Sequence, residues 1–496
     1  MGERIMTNKE VLVGLDIGTT SVKAVLFDTQ GKLVLETEEM IPTHYPHPGW
    51  TEQDPKEIEQ KTILVLQQLF SQLDMKKHKL LGIGFSTAMH SLICMNKKMQ
   101  PLSKMIIWSD GRSSEQAEKL KQGVGKEIYL KTGTPIHPMS PFVKLNWMKE
   151  NDYEPYCKAS YFISMKEYLV WKWFGKRWID YAMASATGLF NVQLRQWDDE
   201  ALAIAGITKD HLSDVVGPDT VLTNLSAEVA EQIGLPENVP FVIGSADGQL
   251  ANLGDGAILP GEVAISVGTS GAIRQFSQGA PIDPNLETFT YLFTEDTSII
   301  GGPTNNGGIA LQWLKDVLEF KGSHDELVAG AEKVALGADG ILFLPYVNGE
   351  RAPVWNQKAR GSFYGLHIEH RKEQLVRAVL EGIAFNLYQI GQSLERLAGE
   401  PKFISVNGGL SKSELWVQIL ADVFGKEIHV SETHHSAAWG AAWTALVGIR
   451  KGTSFADIKQ KISLKKVVQP NKDNHDLYRN IYTKYEKLGK DLAAYF

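Results

Sequence analysis

Two aspartates stand where a carboxylate could do chemistry. Asp16 ends the apolar run Val11 to Leu15 and precedes Ile17-Gly18-Thr19-Thr20, while Asp247 ends Phe241-Val242-Ile243-Gly244-Ser245-Ala246 and precedes Gly248. A carboxylate at the C-terminal end of a strand, beside glycine, faces a crevice where it can hold Mg2+ or accept a proton. Asp also favours turns for local reasons. Glycine-rich loops accompany them: Gly18-Thr19-Thr20, Gly268-Thr269-Ser270, Gly307-Gly308 and Gly408-Gly409-Leu410-Ser411. Glycine lets a backbone approach phosphate oxygens that a Cβ would hold away, and hydroxyls and exposed amides then donate to the anion. These residue types point to a bound phosphate with a carboxylate at hand.

The common nucleotide and hydrolase signatures are missing: no GxxxxGK[ST], no GxGxxG after a strand, no GxSxG. CxxC, HExxH and zinc-type Cys/His spacings are missing too. His434-His435 and the pair His44 and His47 read as solvated loop histidines. The two cysteines, Cys94 and Cys157, are too few for a stapled secreted scaffold.

The elements that would position the aspartates can be read around them. Val11–Leu15 and Val22–Phe27 read as a hairpin, and Leu80–Phe85 as a further strand. Asp54 is an N-cap before Pro55, with Ile58, Thr62, Val65, Leu66 and Leu69 on one helical face. Ala437–Ile449, rich in Ala and Gly, reads as a helix buried on all sides, too short for a membrane span. Strands interleaved with helices make an α/β chain. An internal repeat organises it: Val13-Gly14-Leu15-Asp16-Ile17-Gly18-Thr19-Thr20-Ser21 has an echo 250 residues on in Val263-Ala264-Ile265-Ser266-Val267-Gly268-Thr269-Ser270-Gly271. Ser266 stands where Asp16 stood, so the hairpin itself does not need the carboxylate. The repeat predicts two domains, residues 8–253 and 254–496, with Asn252-Leu253-Gly254-Asp255-Gly256 as a linker turn.

Composition bounds the partners. The chain has 496 residues, 43% hydrophobic and 22% charged, and 51 basic against 58 acidic side chains give a net charge of −7. Globular averages exclude a disordered or fibrous chain, and the acidic balance argues against a nucleic-acid partner. Met1 to Glu10 is charged and has no apolar h-region, so a cytoplasmic protein without a membrane partner is expected.

At these residues the chain resembles the FGGY carbohydrate kinases, a branch of the superfamily shared by sugar kinases, actin and Hsp70-type ATPases. Asp16-Ile17-Gly18-Thr19-Thr20 is similar to the superfamily's first phosphate loop. Met139-Ser140-Pro141-Phe142-Val143-Lys144-Leu145-Asn146-Trp147-Met148 satisfies one family signature, and Gly361 to Glu381, with Gly365, Leu366, Gln374 and Ala378, satisfies the second. Gly49–Pro55, Ser86–Ser91, Trp108–Arg112 and Leu344–Arg351 resemble the subgroups that act on xylulose and gluconate, and Met89-His90-Ser91 leans toward gluconate. Glycerol kinases carry Arg-Glu at Met89-His90, which speaks against glycerol.

The resemblance implies two ribonuclease-H-like domains with a cleft between them, the first binding sugar and the second ATP. It implies ATP-dependent phosphorylation of a sugar or sugar acid at a terminal hydroxyl, D-gluconate to 6-phosphogluconate first and a pentulose second. Asp247 would be the catalytic base, and Asp16 with Asp247 would hold Mg2+. Thr19, Thr20, Gly268 and Thr269 would face the phosphates; Gly308, Gln312, Gly408, Gly409 and Ser413 would line the adenosine pocket, although glycerol kinases have Asn at the last. Met89, His90, Trp108, Asp110 and Asp247 would bind substrate, with Lys144 and Lys166 as candidates for a substrate carboxylate. Closure over the cleft would exclude water. A homodimer is left as an open expectation. The reading from another class is a non-catalytic sugar sensor with a kinase fold, against which the retention of Asp16 and Asp247 speaks.

Overall fold

The computed structural model describes residues 9–432, 435–450 and 453–496, so the first eight residues and His434 lie outside the described residues. The first apolar run is β1 (Lys9–Ile17), which turns back into β2 (Ser21–Asp28) and β3 (Leu33–Met40). The helix expected after Asp54 is α1 (Pro55–Gln72): the Asp54 side chain accepts from the Lys56 N–H, Pro55 opens it, and the expected apolar face is buried. β4 (His78–Thr87) runs parallel to β1. Then come α2 (Pro141–Glu150), opened by Pro141 with Ser140 as N-cap, and α3 (Met165–Phe174), opened by a Ser164/Glu167 capping box. β5 (Val221–Leu222) and β6 (Phe241–Ala246) complete a sheet in the order β5-β6-β4-β1-β2-β3. α4 (Asp247–Gly254) leaves β6 without a loop.

The second sheet repeats the pattern. β7 (Glu262–Val267) and β8 (Gly271–Gln278) form its hairpin, followed by β9 (Phe289–Leu292), β10 (Thr297–Thr304) and α5 (Gly308–Val317). The long α6 (Lys372–Ala398), β11 (Phe403–Asn407), α7 (Glu414–Phe424), β12 (Ile428–Ser431), α8 (Ser436–Ile449) and β13 (Leu464–Val468) follow. The strand order is β9-β10-β8-β7-β11-β12-β13. β7 is antiparallel to β8 and parallel to β11, as β1 is to β2 and β4. The hairpin loops are closed alike, the Gly18 N–H donating to the Ser21 carbonyl at 3.0 Å and the Gly268 N–H to the Ser270 carbonyl at 2.9 Å. The second loop is one residue tighter, Val267 pairing with Gly271 where Ile17 pairs with Val22.

Two sequence readings need correction. Asn252-Leu253-Gly254 is not a linker but the last turn of α4; only Asp255 and Gly256 form the exit. Gly254 is there for packing, since a Cβ built on it would lie 1.9 Å from the Ser436 carbonyl oxygen of α8. His435 is not a solvated loop histidine: it is the residue before α8, with Nε2 2.8 Å from the Glu36 carboxylate. His44 and His47 are exposed, as expected.

α8 is the buried helix anticipated at Ala437–Ile449, and what buries it is the sheet of the other half. It lies across β1 and β4, where a Cβ built on Gly14 would fall 1.8 Å from the Ala438 oxygen and one on Gly84 1.9 Å from the Ala441 oxygen. Only a strand surface without side chains at those two positions admits a helix backbone so closely. Gly84→Ala should therefore destabilise the protein by about 3 kcal/mol, the upper part of the overpacking range. Urea unfolding measures it, and an unchanged midpoint would mean that α8 does not sit in this groove.

Candidate active site

Parallel pairing brings the two aspartates to one edge. Asp16 on β1 is in register with Ser86 on β4, and Ser86 with Ser245 on β6; Asp247 follows two residues later as the first residue of α4. The two backbones are about 10 Å apart, two strand spacings. Ser86 Oγ donates to Asp16 Oδ1 at 2.7 Å, and the Gly248 N–H donates to Asp247 Oδ1 at 2.7 Å. Burial pushes the Asp16 carboxyl up to about 6, the Ser86 bond opposing and the Asp247 charge adding. Burial raises the Asp247 carboxyl as well, against the nearby Arg274 charge. No cluster of three metal-ligating side chains occurs among the described residues. Two buried, oxygen-only carboxylates whose charged forms are penalised by desolvation fit a cation such as Mg2+, which takes few protein ligands and keeps its water.

The two hairpin loops face each other. Thr19 lines a cavity of about 340 Å3 together with Gly268, Thr269 and Ser270, and Thr19, Thr20, Thr269 and Ser270 border an adjoining cavity of about 1240 Å3. Trp108 Nε1 donates to Thr19 Oγ1 at 2.9 Å, which orients that hydroxyl. Behind the second loop, the Gly308 and Ile309 N–H groups donate to the Gly268 and Thr269 carbonyls at 2.7 and 3.1 Å, so the start of α5 pins the loop. A Cβ on Gly308 would lie 2.8 Å from the Gly268 oxygen, and one on Gly408 2.4 Å from the Val267 oxygen. The glycine segments that the sequence singles out in the second half thus meet at the Val267–Gly268 corner. Gly409 approaches the same corner at 4.0 Å. Gln312 lies one turn into α5 and donates to Asp316, and Ser413 caps α7 by accepting the Trp416 N–H.

Met89, His90, Trp108 and Asp247 all line the 340 Å3 cavity. His90 holds a left-handed backbone, φ 67°, and its Nδ1–H donates to the Ala186 carbonyl at 2.8 Å. Burial, with the Lys144 charge beside it, pulls its pKa down to about 3, so the ring is neutral and Nε2 is left as an acceptor suited to a hydroxyl. Asp110 borders the larger cavity, but its oxygens already accept from Thr51 N–H at 2.5 Å and from Arg112 N–H, Nε and Nη2 at 3.0, 2.9 and 2.8 Å. Arg112 also pairs with Glu52 at 2.6 Å, so this group holds the cavity wall together.

The two lysines considered for a substrate carboxylate are turned to other partners. Lys144 Nζ donates to the His90 and Met139 carbonyls at 2.6 and 2.8 Å, and Lys166 pairs with Asp180 at 2.7 Å with both side chains fully buried. Neither borders either cavity. The arginines that border the smaller one are Arg274 and Arg351, and Arg360 joins Arg351 on the larger; sequence reasoning passed over all three as site residues. A signal existed for Arg274: Ala272 and Arg274 alternate on β8 directly after the Gly-Thr loop, and both face the cavity.

Lys144 has a measurable consequence. Burial lowers its pKa to about 7. Between about pH 7 and the model-peptide value of about 10.4, the unfolded chain binds a proton that the folded chain lacks, so stability rises with pH in that window and is lost as pH falls toward 7. Urea unfolding from pH 7.5 to 9.5 should give a shallower rise for Lys144→Met than for wild type. Equal slopes would show that the folded protein keeps this proton.

The family model described as FGGY family of carbohydrate kinases, N-terminal domain, matches residues 11–254, and the corresponding C-terminal domain matches residues 263–449. The gluconokinase of Bacillus subtilis (strain 168) is 40% identical over 493 residues, 97% of this chain and 95% of its own. The xylulose kinase of Staphylococcus epidermidis (strain ATCC 12228) is 30% identical over 485 residues, 97% of each chain. The crystal structure of gluconate kinase from Lactobacillus acidophilus superposes with a TM-score of 0.95 at 33% identity, over 98% of this chain and 99% of that one.

Proposed function

The chain belongs to the FGGY family of carbohydrate kinases and is an ATP-dependent sugar kinase with that family's two-domain α/β fold; within it, we propose that the substrate is D-gluconate and the product 6-phosphogluconate. The observation that carries the chemistry is Asp247 at the start of α4, across a cavity of about 340 Å3 from the Gly268-Thr269-Ser270 loop. Gluconate is favoured over xylulose by the 40% identity to gluconokinases against 30% to xylulose kinases over equal coverage. Xylulose is the second reading, supported by those relatives and by the ligand-bound xylulose kinase structure from Lactobacillus acidophilus, also at 33% identity and a TM-score of 0.95.

In this reading residues 8–253 form the sugar-binding domain and 254–496 the ATP-binding domain. The substrate's terminal hydroxyl gives its proton to Asp247 as its oxygen bonds to the γ-phosphorus. The bond from that phosphorus to the bridging oxygen breaks, and ADP leaves with the electron pair. Phosphoryl transfer is largely positioning and charge stabilisation, so Asp247 acts by aligning the hydroxyl as well as by basicity. His90 Nε2 accepts from a substrate hydroxyl, and Met89 and Trp108 wall the sugar. Thr19, Thr20 and the Gly268 and Thr269 amides face the phosphates, while Gly308, Gln312, Gly408, Gly409 and Ser413 lie along the adenosine. Asp16 and Asp247 would hold Mg2+, which when bound neutralises phosphate charge. Asp110 serves through Arg112 and Thr51 as part of the wall. No helix among the described residues is long and apolar enough to cross a membrane, and use of ATP supports a cytoplasmic site of action.

Asp247→Asn should bind gluconate with wild-type affinity by calorimetry and lose about 10²- to 10⁴-fold in kcat in a coupled ADP-release assay, the range for a positioned general base. Turnover near wild type in that variant would overturn the role given to Asp247.

A further inference from the structure

Two arginines enter the sugar cavity without a direct ion pair, although the charges of Asp247 and Asp255 are felt at Arg274 and that of Glu350 at Arg351. Arg274 comes from β8 and Arg351 from the segment after Leu344; both border the 340 Å3 cavity, and no carboxylate forms an ion pair with either among the described residues. Arg274 Nε and Nη1 and Arg351 Nε are buried without a hydrogen-bond partner. Arg351 makes one side-chain bond, Nη2 to the Thr304 carbonyl at 3.2 Å, and its guanidinium lies 4.9 Å over the Trp108 ring. Arg274 crosses the start of α4, where a Cβ on Gly248 would lie 2.9 Å from its Nε. A residue larger than glycine after Asp247 would push the guanidinium away.

Other deeply placed cations are in direct ion pairs: Arg112 with Asp110 and Glu52, although its Nη1 is left open, Lys166 with Asp180, and Arg377 with Glu381. Leaving buried charged donors unmade is costly, so a pair left open in a binding cavity marks the place of an anion. Two anionic groups could come there, the transferring phosphoryl and a substrate carboxylate. Arg274 borders the smaller cavity, with His90 and Tyr291, and does not border the larger one onto which Thr20 and Asn305 open. It shares that cavity with Met89, His90 and Trp108, the side chains given to the sugar, as well as with the Gly268-Thr269-Ser270 loop, so the test must separate a sugar carboxylate from the phosphoryl group. A guanidinium fork also matches a carboxylate in a way a lysine cannot.

We propose that Arg274, with Arg351 beside it, receives the carboxylate of the substrate and so selects a sugar acid over a neutral sugar of similar size. The proposal rests on the gluconate reading and deepens it. A neutral ketose or polyol can offer hydroxyl acceptors but no charge, so it would make weaker bonds to these desolvated guanidiniums than a carboxylate does, and that difference discriminates against such substrates.

The test compares wild type, Arg274→Gln and Arg274→Lys on gluconate, on glucitol (its neutral alcohol analogue) and on xylulose, with ATP varied separately. Thermal midpoints check folding. Arg274→Gln should raise KM for gluconate about 10- to 100-fold, the worth of a charged hydrogen bond. It should leave kcat at saturating gluconate within a few-fold and KM for ATP unchanged, and it should lower the gluconate-to-glucitol ratio of kcat/KM by the same factor as it raises KM. Arg274→Lys should recover part of the lost affinity. An unchanged KM for gluconate overturns the proposal, as does an equal fall of kcat on every sugar, which would put Arg274 on the phosphoryl group. If Arg274→Gln does not fold, Arg274→Lys decides, a wild-type KM for gluconate then counting against a fork-shaped subsite. Wild type turning over xylulose but not gluconate instead removes the gluconate reading, and the carboxylate subsite falls with it.

Discussion

The backbone-to-backbone crossing of α4 and α8 sets the relation of the two halves across the cleft. A Cβ on Gly254 would lie 1.9 Å from the Ser436 oxygen, and one on Gly440 2.1 Å from the Leu250 oxygen. Side chains at those points would force the helices apart, and with them the sheets, because α8 is also pressed onto β1 and β4 at Gly14 and Gly84. α4 begins at Asp247 and is capped at its C-terminal end by Asp255, whose carboxylate accepts from Ser436 at the start of α8 and from Asn407 at the end of β11. One short helix thus carries the candidate base at its first residue and is tied to the second half by its C-cap. A shift of that crossing would move the carboxylate relative to the loop that faces it.

The cleft concentrates charge that the surface of an acidic chain lacks. Overall the protein carries −7. Inside, Asp16 and Asp247 are held up toward their neutral forms mainly by burial, while Arg274 and Arg351 are pulled down from the usual arginine range by the same cause. Each of these charges is desolvated in the cleft, so a ligand that brings an opposite charge is favoured there. Recognition of anions in such a protein depends on fixed local donors: loop amides, hydroxyls oriented by Trp108, and guanidiniums in a cavity. Long-range attraction contributes little.

How far the fold was legible depended on whether the information was local. The hairpin at Asp16 and its echo at Ser266, the capped helix after Asp54 and the buried helix at Ala437–Ile449 are written in alternation, capping residues and composition, and each forms as expected. Asn252–Gly256 misled because glycine in a turn and glycine at a helix crossing look alike in one dimension. The carbonyl that explains Gly254 belongs to residue 436, which no local pattern connects to it.

The candidate site divides along the same line. From residue types alone the chain determined a phosphate-binding, carboxylate-bearing α/β protein with a duplicated hairpin, because strand alternation and glycine loops are local physical requirements. Tertiary structure decided which cations face the sugar. Lys144 and Lys166 look available in sequence, yet their protons go to the carbonyls of residues 90 and 139 and to Asp180. Arg274 looks like any of 51 basic residues, yet strand register and the missing side chain at Gly248 turn it into the cavity. The value of a charge in a binding site depends on what else is within a few ångströms of it, and those neighbours are set by the packing of distant segments.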